Sequence, residues 1–127
     1  MSRVPRVEIV APIACTESPE KIETAVARIF PGVRLEINGD TARGEVESLS
    51  VLEHVRQQIR SRRIRASARA LLMKGVSQRF LRFYVDKQAA YMGKLSLWDP
   101  EEERSPNPIM VKVMVDNPVQ VVYWLTE

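Results

Sequence analysis

The chain is short of the side chains that most often do chemistry. In 127 residues it has one cysteine, Cys15, and one histidine, His54. A lone cysteine excludes an intrachain disulfide, and a metal site on imidazole or thiolate would need several such ligands at workable spacing. A Ser–His or Cys–His nucleophile pair would have to use His54, which lies among Gln and Arg and reads as a satisfied surface histidine. Gly93-Lys94 lacks both the first glycine and the following Ser/Thr of a phosphate-cradling loop. Glu101, Glu102 and Glu103 fall in one loop and read as a solvated charge run. No catalytic residue, metal ligand or cofactor is therefore assigned, and the chain is expected to be non-enzymatic. It has no run of 18 apolar residues, which argues against a membrane span. Met1 to Arg6 shows no hydrophobic signal segment, so a reducing, cytoplasmic location is expected.

Acids are scarce in one particular place. From His54 to Lys94 there are eleven Lys and Arg against a single acid, Asp86, which is +10. The other eight basic and fifteen acidic residues give −7, so the modest net charge of +3 hides a chain that is dipolar along its length. A fold that keeps this segment on one side would draw a polyanion to it.

Hydrophobic spacing outlines the elements. Val7, Ile9, Ala11 and Ile13 alternate as a first strand that ends, or lies at an edge, near Pro12. Ser18-Pro19-Glu20 opens a helix with a side-chain cap, apolar at Ile22, Ala25, Val26, Ile29 and Phe30 and stopped by Pro31-Gly32. Val33, Leu35 and Ile37 form a second strand. Asn38-Gly39 predicts a type I′ hairpin turn into a short return strand with Ala42, Gly44 and Val46 on one face. A helix capped by Ser48, or by Ser50 with Glu53, carries Leu49, Leu52, Val55 and Ile59. A further helix carries Ile64, Ala68, Leu71 and Leu72 and ends near Gly75. Strands follow at Leu81–Val85, Lys94–Trp98 and Ile109–Val115, with a short helix or turn over Lys87–Gly93. Asn117-Pro118 caps a terminal helix with Val121, Val122, Trp124 and Leu125. The order βαββααβ(α)ββα predicts a single α+β domain over residues 1–127, a largely antiparallel sheet with helices packed on one face.

The basic segment has a geometry suited to phosphate. On helices, Arg56, Arg60 and Arg63 are spaced i, i+4, i+7, and Arg62, Arg65 and Arg69 repeat the pattern as i, i+3, i+7. Arginine dominates, and its planar fork suits bidentate contact with phosphate oxygens. The predicted RNA contacts are Arg62, Arg63, Arg65 and Arg69, helped by Lys74, Arg79, Arg82, Lys87, Gln88 and Lys94. The ligand is expected to be structured or double-stranded RNA, held by backbone charge with little sequence readout. The sheet face turned away from the helices is expected to show Arg82, Tyr84, Lys94, Trp98, Met110, Lys112 and Met114. Such a face can stack unpaired bases or form a homodimer interface. The competing reading is a protein-interaction module, or obligate dimer, whose basic segment binds an acidic protein.

The stretch from Phe83 through Lys87-Gln88-Ala89-Ala90 to Gly93-Lys94 resembles the signature of an archaeal family of uncharacterised proteins. Thr16 to Lys21, Ala68-Arg69, Leu72 to Gly75, Ser105-Pro106, Asn117-Pro118 and Trp124-Leu125 extend the resemblance over nearly the whole chain. That family is usually labelled RNA-binding or predicted exosome-associated. Its fold is similar to that of the large-subunit ribosomal protein that contacts 5S ribosomal RNA. Carried over, the resemblance points to Arg69, Lys74, Lys87, Gln88 and Lys94. The chain departs from the pattern at Arg65, where an acid is expected, and at Arg104, which replaces a Glu. Ala89, Ala90 and Gly93 are expected to be structural, with Gly93 at a positive φ.

Overall fold

The computed structural model describes residues 4–99, 101 and 107–127. Alternation of small and β-branched apolar residues places β1 (Arg6–Pro12) at the centre of a five-stranded antiparallel sheet. The strand order is β2 (Glu36–Asn38), β3 (Thr41–Val46), β1, β5 (Ile109–Met114), β4 (Phe80–Val85). Val7, Ile9 and Ala11 of β1, Val111 and Val113 of β5, and Leu81, Phe83 and Val85 of β4 share one buried face. Onto it pack α1 (Pro19–Ile29), α2 (Glu53–Ser61), α3 (Arg65–Met73), α4 (Lys87–Tyr91) and α5 (Pro118–Leu125). Their contributions to the shared core include Ile22, Ile29, Phe30, Val55, Ile59, Leu72, Ala90 and Leu125. Pro12 is the last residue of β1, as its missing amide requires, but the strand is central rather than at an edge.

Several local expectations are corrected. Asn38 pairs with Thr41, so the two-residue turn is Gly39-Asp40, shifted by one. Only Gly39 has a positive φ there (59°), which fits a II′ turn and not the I′ turn expected. The second strand keeps only Glu36–Asn38; Val33 and Leu35 instead pack partly buried against the core. Ser18 stands at the N-cap of α1, but its hydroxyl donates to the Glu20 carboxylate and caps no amide. Ser48 accepts from the Ser50 amide at the head of a single 3-10 turn (Leu49–Leu52) that leads into α2, and no Ser50–Glu53 box forms.

The predicted strand Lys94–Trp98 is reduced to one bridge, between Leu97 and Val85. The physical reason lies in α2. The Gln58 side-chain oxygen takes the Leu95 amide at 2.7 Å, and Arg62 donates to the Leu95 carbonyl. Backbone groups that a sheet ladder would use are bonded to helix side chains instead. Gly75, expected only to end a helix, carries a packing requirement. A Cβ there would lie 1.7 Å from the Arg82 carbonyl oxygen, so α3 can reach the edge of β4 only through a glycine.

Candidate nucleic-acid interface

The basic stretch does not stay together; the fold divides it according to what each cation finds nearby. Arg56 and Arg69 are drawn to the C-terminal end of α5, where unpaired carbonyls and the helix dipole favour positive charge. Arg56 Nε donates to the Trp124 carbonyl at 3.0 Å, and its Nη2 meets Glu127 at 3.1 Å. Arg69 bonds the Thr126 hydroxyl and carbonyl at 2.9 and 3.2 Å and lies 4.9 Å from the Tyr123 ring centroid. Arg69 was expected to face RNA, but its guanidinium is half-buried and bound to the chain's own terminus.

Two lysines are likewise engaged. Lys74 pairs with Asp99 at 2.8 Å and Glu101 at 3.5 Å; the hydrogen bond to Asp99 raises the lysine's pKa and lowers that of the acid. Lys87 is 4% exposed, so its expected contact with RNA is corrected. Its ammonium donates to the Pro12 carbonyl and to Glu17 Oε1 at 2.9 Å, the oxygen that also accepts from the Ala14 amide. Burial pushes the Glu17 carboxyl up, but the Ala14 amide and the Lys87 ammonium outweigh it and leave its pKa below the ordinary value. This pair pins the loop after β1 to α4. Asp86 caps that helix by accepting from the Ala89 amide at 2.8 Å, and Gly93 ends its turn at φ 79°, as expected. Gln88 is exposed beside Lys87, over a cleft of about 1030 Å³ lined also by Thr16, Asp40 and Asn107. Glu17 and Asp40 line that cleft as well, so it is poorly suited to phosphate.

Arg79 and Arg82 belong to β4 and its approach, not to the helix turn. Arg79 precedes β4, about 17 Å of extended strand away from the Val85 end. Arg82 is exposed on the sheet face that the helices leave open. Trp98 and Lys94, both predicted for that face, are elsewhere. Trp98 is buried with its indole nitrogen on Asp86 at 3.3 Å, and Lys94 follows α4 in an exposed loop.

What remains is compact. Arg60, Arg62, Arg63 and Arg65 are all exposed around the turn between α2 and α3. The predicted helical spacing of Arg56, Arg60 and Arg63 breaks here, because α2 ends at Ser61. Arg63 has φ 56°, and the turn closes with Arg63 N to Arg60 O and Ile64 N to Ile59 O. These are the paired bonds of a Schellman end, with arginine at the left-handed position that usually takes glycine. Two residues on, α3 begins with no side-chain cap and no acid in its first turn. Its free amides therefore add positive potential beside Arg65. Gln58 supplies a link the sequence did not reveal. It donates to the Gly93 carbonyl at 2.8 Å and accepts from Leu95, clamping Lys94 beside the end of α2. Among the described residues, none of these five cations forms an ion pair.

His54 is bonded to the Gln58 side chain at 2.9 Å, on the same helix. Among the described residues, no three His, Cys, Asp or Glu side chains group as a metal ion requires. No described helix is long and apolar enough to cross a membrane.

A family model described as RNA binding matches residues 6–115. A UPF0201 protein of Methanothermobacter thermautotrophicus is 33% identical over 120 residues, covering 94% of this chain and 89% of its own. The UPF0201 protein of Sulfolobus acidocaldarius is 34% identical over 125 residues, covering 95% and 86%. Among solved structures, a UPF0201 protein from Methanococcus jannaschii superposes with a TM-score of 0.80 at 27% identity, covering 96% of this chain and 99% of that one.

Proposed function

Since the chain belongs to this archaeal family, UPF0201, with its RNA-binding model, we propose that it is a non-enzymatic protein that holds structured or double-stranded RNA by its phosphate backbone. The observation that carries the reading is the set of five exposed cations, Arg60, Arg62, Arg63, Arg65 and Lys94, around one turn and free of acid partners among the described residues. Four are arginines, whose forked donors suit phosphate oxygens. Left-handed backbone at a non-glycine residue costs of order 1 kcal/mol, and such strain concentrates at functional sites. Arg63 fits that pattern. Exposed Cys15 suits a reducing compartment, so the proposed site of action is the cytoplasm.

The test is a fluorescence-anisotropy titration of duplex RNA, single-stranded RNA and duplex DNA at several salt concentrations. Counterion release gives a log–log slope of about −0.9 per neutralised duplex phosphate, hence roughly −4.5 if each of the five cations takes one. Preference for duplex RNA with such a slope is the expected result. An acidic protein segment would meet the same cations. Binding of labelled polyglutamate with no measurable RNA binding would favour that reading instead.

A further inference from the structure

The open face of the sheet is patterned in rows, and the rows are not symmetric from side to side. Register aligns Arg82, Lys112, Glu8 and Glu45 in one row across β4, β5, β1 and β3. The next row is Tyr84, Met110, Val10 and Arg43, with Glu36 at its end on β2. On the other side lie Phe80, Met114 and Arg6. The β4–β5 half therefore carries only positive charge, with Arg82 and Lys112 lying 5.3 and 4.6 Å from the Phe80 ring. The β1–β3–β2 half carries Glu8, Glu45 and Glu36 beside Arg6 and Arg43. The half-buried Val10, Tyr84, Met110 and Met114 run between the charges and belong to no part of the core.

We propose that this face docks a second copy of the same chain, sheet against sheet, about a two-fold axis that runs parallel to the strands between β1 and β5. Such an axis keeps each row at its own height and exchanges β5 with β1 and β4 with β3. Lys112 then faces Glu8 of the other copy and Arg82 faces its Glu45, which gives four cross-pairs by symmetry. Met110 meets Val10 at the centre, and Tyr84 meets Arg43, an aromatic–guanidinium contact. A two-fold axis perpendicular to the strands would instead stack each strand on its own copy. Near the centre of the face that sets Lys112 against Lys112, so the charges select the first arrangement. Sheets that pack face to face lie about 10 Å apart with strands within roughly 30°, which the side chains here can span.

Glu45 is already 2.5 Å from Arg6, and Glu8 is 4.0 Å from Arg43. A carboxylate has lone pairs for more than one cation, so these contacts persist beside the cross-pairs. The same acids decide against nucleic acid as the occupant, because they would set three carboxylates against phosphates. The helices cover the opposite face of the sheet, so the α2–α3 turns of both copies stay open to solvent. The inference does not depend on RNA binding.

The experiment measures mass in solution, by sedimentation equilibrium and native mass spectrometry, on the full chain. One variant is Arg82→Glu with Lys112→Glu; the other is Glu8→Lys with Glu45→Lys. All four sites are exposed or half-buried surface positions, and circular dichroism confirms that each variant is folded. The wild type is expected to be a dimer, each variant alone a monomer, and their equimolar mixture a heterodimer, because only the mixture restores every cross-pair. A monomeric wild type overturns the proposal without recourse to variants. Folded variants that dimerise alone, or that stay monomeric when mixed, overturn it equally.

Discussion

Lys87 and Arg63 belong to the same acid-poor stretch, yet the fold uses their charges in opposite ways. Lys87 is buried, bound to Pro12 and Glu17, and holds the loop after β1 against α4. Arg63 is exposed, has no ion pair among the described residues, and occupies a backbone conformation that suits glycine better. Arg56, Arg69 and Lys74 fall with Lys87, since each is bonded to a carbonyl or an acid. Arg60, Arg65 and Lys94 fall with Arg63, while Arg62 stands between the two classes, exposed at the surface yet donating to the Leu95 carbonyl. A cation count along a sequence thus mixes charges spent inside the molecule with charges left for a ligand. Only the second kind bears on binding.

The largest effect is expected where a partner of a buried charge is removed. Glu17→Ala leaves the Lys87 ammonium in the interior with one carbonyl, which costs roughly 3–5 kcal/mol in urea denaturation. The Glu17 carboxyl has a lowered pKa in the folded state. Its contribution is therefore present above the ordinary carboxyl pKa of 4.5 and is lost as pH falls below it. Thermal melts between pH 6 and 3 should show a flatter acid limb in the variant than in wild type. Arg69→Ala should cost about 1–2 kcal/mol, from charge-assisted bonds at the end of α5 and its contact with Tyr123. At Arg63 the sign reverses. Arg63→Gly should stabilise the fold by up to about 1 kcal/mol while weakening RNA binding, a pairing of outcomes that a merely structural arginine would not give. Lys74→Ala should have the smallest effect, a denaturation midpoint close to that of wild type, because solvent-screened ion pairs contribute little.

These contrasts also mark how far the sequence could be read. Period-two alternation in β1, β4 and β5 and the apolar faces of α1, α2 and α3 were legible because each is a local pattern. The cap at Asn117-Pro118 is local too, and the α+β class follows from the order of such elements, whereas the Asp86 cap of α4 has no counterpart in the expected helix or turn over Lys87–Gly93. The partners of the cations are not local. Glu17 is 70 positions from Lys87, Thr126 is 57 from Arg69, and Asp99 is 25 from Lys74. No local spacing encodes those pairs. The predicted face of Arg56, Arg60 and Arg63 assumed one continuous helix, and a left-handed residue in the middle of the stretch ended it. Gln58 had no signal at all, since its role is to hold a loop 35 positions later in the chain.

The most direct measurement compares two variants that lose the same charge from the two classes of cation. One is Arg60→Ala, Arg63→Ala and Arg65→Ala together; the other is Arg56→Ala, Arg69→Ala and Lys74→Ala. Each is titrated against duplex RNA over a range of salt, at a temperature where both are folded. The account predicts that the first flattens the log–log salt slope by roughly 2.7, at about 0.9 per lost phosphate contact, and that the second leaves it near wild type. Equal losses in both variants, or none in the first, would contradict it.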